Sequence, residues 1–369
     1  MSNLKQLKVG IIGTGMAFER LHYPAFQELS HRYQISALCD IDKNKAQQWA
    51  KRLNLQDRDV YTDYLQMIET HELDLVDILV PIELNFTITE AVARKWAKKQ
   101  KGIICEKPLA PNLSQAKQAR TLARDAQIPI MIAEHYRYNE EVNLIRDFVH
   151  GKKIGDVSHF IYNRFMDFPQ EMVKNEFPAR EWRQHPEYPG GAITDAAVHE
   201  IAGLQHIFGA VTKVHALGRP QQAEFSPYSV IQANLQFSAG VTGQFTFYCA
   251  GQEAQRPLTG LRIYGALGMI YLEERDAGTI NVAYNDGGAE QIPYEVQKGF
   301  YNELLNFHNA LTGSEEISVT PEIEYGDLKV IMSILRSIEE ERVVSIDDNI
   351  PESQMPTDPY YQNPPNIIH

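Results

Sequence analysis

From about residue 7 to about residue 133 the chain alternates short apolar runs with longer amphipathic ones, and few architectures tolerate that rhythm. A strand followed by a helix long enough to recross the sheet sets the next strand parallel to the first, and the recrossing helices cover both sheet faces. The short runs LKVGIIG, QISALC, DLVDILV, GIIC and IPIMIA are apolar and rich in β-branched residues, as strands buried on both faces are. Between them, 43–53, 84–99 and 113–126 carry apolar residues at three- and four-residue spacing, with Ser or Asn near their starts. The expected fold class for this part is α/β, a doubly wound parallel sheet.

Beyond Arg137 the pattern shifts to strands of alternating character, among them DVSHFIYNRF, KVHALG, YSVIQANLQF, VTGQFTFYCA, LRIYG and MIYLEE, with helical patterns at 191–208, 301–311 and 324–340. This reads as an α+β second domain. The division expected is 1–135, 136–349 and a Pro-rich tail, 350–369, too polar to pack alone. The strands at 228–237 and 240–249 carry apolar residues on both faces of the alternation, which predicts a covering partner and hence a homodimer or homotetramer.

Acidic residues number 48 against 35 Lys plus Arg in 369 residues, a net charge of −13 that excludes nucleic acid and anionic membranes as partners. Cys39, Cys105 and Cys249 are an odd count without metal-ligand spacing and read as buried thiols. With no apolar run of membrane-span length and a polar start leading directly into a strand, the expected location is the cytoplasm.

The first strand runs into Gly13-Thr14-Gly15-Met16-Ala17-Phe18, where two glycines let the backbone turn tightly and approach a pyrophosphate at a helix N-terminus. Phe18 stands where such fingerprints carry a third small residue. Asp40, 40 − 15 = 25 positions beyond Gly15, closes the second strand, where a carboxylate accepts from ribose hydroxyls and repels a 2′-phosphate. Its alternative role is a turn residue, for which Asp42 is better placed. NAD(H) is therefore expected over NADP(H).

GIIC ends in Glu106-Lys107-Pro108, and ligands of open α/β sheets bind at the carboxyl ends of the strands. An exposed salt-bridging pair is the competing reading. In Gly190-Gly191-Ala192-Ile193-Thr194-Asp195-Ala196-Ala197-Val198-His199, a helix places Asp195 and His199 four apart on one face. A capping Asp and a core or surface His are the bland alternative. No third metal ligand is assignable, so no metal is expected.

The motifs GIIGTG, VYTDYLQMI, VDILVP, CEKPLA and WRQHPEYPGGAITDAAVHEI, in this order, resemble the glucose-fructose oxidoreductase, inositol dehydrogenase and rhizopine-catabolism family (Gfo/Idh/MocA) up to about Asp347. The resemblance implies an N-terminal Rossmann domain and a C-terminal α+β domain with a large, mostly antiparallel open sheet. It implies that Lys107, Asp195 and His199 form the catalytic group. Cofactor contacts would come from Gly13, Thr14, Gly15, Met16, Ala17, Asp40, Ile41, Pro81 and Asn85, and from Glu106, Lys107 and Pro108, with a cis Lys107-Pro108 bond. Asn85 occupies a place where many relatives have His. Substrate contacts would come from Tyr136, Arg164, Trp182, Arg183, Asp195 and His199.

An imidazole titrates near neutrality, which suits His199 to exchange a proton with a substrate oxygen while a lysine stabilises developing charge there; which of the two donates stays open. The resemblance points to a sugar, sugar derivative or cyclic polyol as substrate. A non-catalytic dinucleotide-binding sensor and a reductase of a linear tetrapyrrole are the alternatives.

Overall fold

The computed structural model describes residues 5–251 and 259–346; the tail expected at 350–369 lies outside them. The chain divides into two compact units. One comprises the chain up to His135 together with Phe300–Tyr325, and the other runs from Tyr136 to Gly299 and resumes at Gly326.

The first unit is built on a six-stranded, wholly parallel sheet. Its strands are β1 (Leu7–Ile12), β2 (Tyr33–Cys39), β3 (Val60–Tyr61), β4 (Leu75–Ile78), β5 (Gly102–Glu106) and β6 (Ile130–Ala133), in the order β3-β2-β1-β4-β5-β6. Val9, Ile11, Leu38, Val76 and Ile103 are fully buried, because helices cover both faces. The order reverses beside β1, so the carboxyl ends of β1 and β4 open the crevice in which doubly wound sheets hold ligands.

The helix expected over 113–126 is two, Leu113–Ala119 and Leu122–Ala126; the second starts at Thr121, whose hydroxyl donates to Asp125. A larger departure concerns 300–325, expected in the second domain. Its helix Gly299–Leu311 buries Leu304 and Phe307, and the Tyr33 hydroxyl donates to Leu304 O at 2.6 Å. Gly102 has no side chain because a Cβ there would stand 2.7 Å from Phe307. The Ile132 N–H donates to Val319 O at 3.0 Å, so the returning segment also completes the bonding of β6.

The second unit contains a nine-stranded sheet. Its strands are β7 (Val157–Phe165), β8 (Val211–Ala223), β9 (Ser226–Phe237), β10 (Thr242–Tyr248), β11 (Gly260–Gly265), β12 (Gly268–Leu272), β13 (Thr279–Tyr284), β14 (Ala289–Pro293) and β15 (Val344–Ser345). The order is β14-β13-β12-β11-β7-β10-β9-β8-β15, and only the β7–β10 pair is parallel. One face packs on Ile201, Leu204 and Phe208 of the helix Val198–Phe208 and on Val330, Ile331 and Ile334 of Pro321–Glu340. Turned away from this core, β9 and β10 carry Val230 and Tyr248 at one end and Gln232, Asn234, Gln236, Gln244 and Thr246 along the rest. The two faces expected to be apolar are unequal: Ile231, Ala233, Leu235, Phe245 and Phe247 all point to one core, while the opposite face is apolar only at its Val230 and Tyr248 end. Among the described residues no helix is long and apolar enough to cross a membrane.

Candidate active site

In the first unit, Gly13 follows β1 with φ +96°, and a Cβ there would lie 2.2 Å from Leu79 O. Only glycine fits. Its N–H donates to Cys39 O at 2.8 Å, so the turn is sewn to β2. Gly15 is the opposite case: it is exposed, and a Cβ would meet nothing within 4 Å, which leaves an open cradle at the start of the following helix. Phe18 fills no cradle. It is buried, edge-on to Trp49 at 4.7 Å and tilted against Tyr23 at 5.7 Å, so the missing third glycine is compensated by an aromatic cluster. The turn's shape and space fit a dinucleotide pyrophosphate.

Asp40 sits at the expected strand end but has work of its own. Its Oδ2 accepts from both the N–H and the hydroxyl of Thr14, each at 2.8 Å, and its Oδ1 accepts from Asp42 N–H at 2.9 Å. Asp42 caps the helix Lys43–Leu53 through Asn44 N–H, as expected of it. Ile41 projects beside Asp40, 96% exposed.

At the end of β5, Lys107 is buried and the Lys107-Pro108 peptide is cis. Asn85, expected among the cofactor contacts, instead faces inward with no exposed surface. Its carboxamide nitrogen donates to both Glu106 O and Pro108 O at 2.9 Å, bracing the backbone on either side of Lys107. Pro81 precedes the helix Ile82–Lys95 that carries Asn85.

Sequence reasoning missed a buried histidine beneath this strand end. His22 Nδ1 donates to Asp77 Oδ2 at 2.8 Å, and Nε2 donates to Glu106 Oε1 at 3.1 Å. Glu303 Oε1 lies 3.9 Å from the same nitrogen. Burial alone would lower the pKa of His22, but Asp77 and Glu106 outweigh it and hold the ring well above its ordinary value. Burial raises the carboxyl of Asp77, and raises that of Glu303 far more. The signal was Asp77, a charge inside the apolar run DLVDILV.

In the second unit, Gly191 has φ +52°, and a Cβ there would stand 2.2 Å from Phe225 O. From it a single π-helical stretch, Ile193–Ala197, leads into the helix Val198–Phe208. Asp195 lies in the wide turn and His199 in the next, so the helix expected through both is π-wound around Asp195. Such turns concentrate at functional sites. Arg183, expected to touch substrate, grips Asp195: Nε donates to Oδ2 at 2.6 Å, while the guanidinium lies 4.0 Å from the centre of the Trp182 ring. The His199 ring stacks on Tyr136 at 4.4 Å and 13°. Tyr136 is buried, its hydroxyl donates to Glu200 Oε1 at 3.4 Å, and burial keeps it protonated far above the usual range. Arg164 Nε lies 3.5 Å from Glu200 Oε1, and Arg275 stands 3.9 Å from the Tyr136 ring centre. Glu200 and Arg275 were not anticipated; Glu200 was legible as an acid inside an apolar helix.

Comparison with known proteins adds to this geometry. Residues 7–134 match the model of an oxidoreductase family with an NAD-binding Rossmann fold, and residues 142–271 match the GFO/IDH/MocA C-terminal domain. An uncharacterized protein of Saccharomyces cerevisiae is 28% identical over 90% of this chain and 96% of its own. The 1,5-anhydro-D-fructose reductase of Ensifer adhaerens is 24% identical over 75% of this chain and 80% of its own. A levoglucosan dehydrogenase solved in complex with NADH superposes with a TM-score of 0.81 at 19% identity, covering 93% of this chain and all of that one (100%).

Proposed function

Because the chain belongs to the Gfo/Idh/MocA oxidoreductase family, we propose that it transfers hydride between a nicotinamide cofactor and a hydroxyl or carbonyl carbon of a sugar, sugar derivative or cyclic polyol, with Lys107, Asp195 and His199 as its catalytic group. The observation that carries this reading is the carboxyl edge of one parallel sheet, where the open Gly13–Gly15 turn and the braced Lys107 both stand.

Bound nicotinamide supplies or receives the hydride at C4. Gly13 to Ala17 hold the pyrophosphate at the helix start, Asp40 receives the ribose hydroxyls, and Ile41 offers apolar surface beside them. The Asp40 carboxylate repels a 2′-phosphate, which supports NAD(H) over NADP(H). His199 takes the hydroxyl proton as hydride leaves the substrate carbon, or returns it in the reverse direction, a role worth roughly 10²- to 10⁴-fold. The stack on Tyr136 supports this by fixing the ring plane. Lys107 stabilises negative charge on the reacting oxygen. Asp195, oriented by Arg183, accepts from a substrate hydroxyl.

The test is a turnover panel of sugars and polyols that includes levoglucosan and 1,5-anhydro-D-fructose, run with NADH titrations of each variant. Lys107→Ala and His199→Asn should each lower turnover on the order of a hundredfold or more while NADH still binds. Full activity in both would place the chemistry elsewhere, and NADH binding without turnover of any compound would favour a sensor.

A further inference from the structure

Four titratable side chains meet under the end of β5, and His22, Asp77 and Glu303 among them are fully buried. Burying so many ionisable groups is costly, and an apolar cluster of the same volume generally serves stability as well or better. The arrangement is also directional. Asp77 Oδ2 receives His22 Nδ1–H at 2.8 Å, Glu106 Oε1 receives His22 Nε2–H at 3.1 Å, and Glu106 Oε2 receives the backbone N–H of Lys107 at 3.1 Å. The chain of bonds starts inside β4 and ends on the residue assigned to the chemistry.

Local structure brings His22 to that point. Phe18–His22 is π-wound, with Tyr23 N–H donating to Phe18 O, and the wider turn buries both Phe18 and His22. Phe300 packs against the imidazole with ring centres 5.8 Å apart. Asn85 braces the carbonyls of Glu106 and Pro108. It leaves the Lys107 N–H to Glu106, so the two devices hold complementary groups of one backbone segment.

We propose that His22 is a positioning residue for Lys107: clamped by Asp77, its ring fixes the Glu106 carboxylate, which in turn fixes the backbone from which the Lys107 side chain departs. This rests on the catalytic reading of Lys107 given above. Small displacements of a catalytic group cost large factors in rate, so loss of the clamp acts on turnover rather than on binding.

The experiment is a double-mutant cycle on the best substrate of the panel, with kcat, KM, the NADH Kd and the melting temperature read for each protein. His22→Asn, too short to reach both partners, should lower kcat at least tenfold and leave KM and the NADH Kd within threefold. In a Lys107→Ala background the same change should cost less than twofold, since the group it positions is gone. An unchanged kcat with a lowered melting temperature, or losses that multiply in the double variant, would overturn the proposal. If Lys107→Ala itself keeps its turnover, the catalytic reading fails instead.

Should His22→Asn not fold, Asp77→Asn keeps the shape and an acceptor oxygen for His22, and should still lower kcat at least threefold; no change would count against the clamp. A substrate-free reading is the acetylation of Lys107 by acetic anhydride with NADH bound, followed by peptide mass spectrometry. His22→Asn should alter its rate at least threefold, and an equal rate would refute the link.

Discussion

Gly13 and Gly15 are two residues apart and should fail in opposite ways when each is changed to alanine. At Gly13 the backbone has φ +96°, and an added Cβ would stand 2.2 Å from Leu79 O, a backbone atom whose own residue is bonded to β1 through Leu79 N–H and Ile12 O at 2.8 Å. The conformational strain alone is worth about 1–3 kcal/mol. Relieving the clash means moving β1 or β4, so Gly13→Ala should lose about 3 kcal/mol or more of folding stability. At Gly15 the added methyl meets nothing within 4 Å, so stability should stay within about 0.5 kcal/mol. The same methyl would occupy the open cradle, and the NADH Kd should rise at least tenfold, or about 1.4 kcal/mol. Urea unfolding followed by tryptophan fluorescence and NADH fluorescence titration read the two quantities separately. A Gly15→Ala protein with unchanged NADH affinity would show that the pyrophosphate does not lie on this turn, and an undiminished Gly13→Ala stability would refute the steric argument.

Asp40→Ser should narrow a preference for NADH over NADPH that is at least tenfold in the parent, and should also cost about 1–3 kcal/mol because Thr14 and Asp42 lose a charged acceptor. Equal affinities of the parent for the two cofactors would contradict the assignment of Asp40. Burial lifts the carboxyl of Glu141 to about 7. Its folded pKa thus lies above an unfolded value near 4.3, so the folded state keeps the proton longer, and stability present below about pH 4 falls by roughly 3 kcal/mol as pH rises through 7. Glu141→Gln should flatten that slope and gain most at pH 8, which urea midpoints at pH 5 and pH 8 would check; an unaltered slope would assign the dependence to another group.

How much of this was visible in the linear chain depends on the range of the interaction concerned. The strands of the first unit were legible because double burial forces continuous apolar runs, and Val9 through Ile12 read as a strand in any context. The pair Val60–Tyr61 was not, since two residues carry no period and exist as a strand only by pairing with Leu38 and Cys39. Asp40 and Lys107 were findable from their places at strand ends. The roles of Asn85 and Arg183 were not, because a carboxamide that spans a peptide and a guanidinium that grips Asp195 are contacts at 21 and 12 residues' separation. The second sheet's polar outer row was hidden for a related reason: alternation shows that two faces differ only when the register is known, and Tyr228 and Val230 at one end of β9 obscured the Gln232, Asn234, Gln236 series at the other.

The return of 300–325 to the first unit has a consequence for how the protein is made. The polypeptide changes unit three times, at 135/136, 299/300 and 325/326. On the ribosome the parallel sheet is fully synthesised early, yet the helix that buries Leu304 and Phe307 against the Tyr33 and Gly102 region arrives only after the whole of β7 to β14 has emerged. The nucleotide-binding half must therefore wait with an apolar flank uncovered until Phe300–Tyr325 emerges, and closing it demands contacts 271 residues apart, such as Tyr33 with Leu304. A nascent chain of this protein stalled before residue 300 leaves that flank exposed until Phe300–Tyr325 has been made.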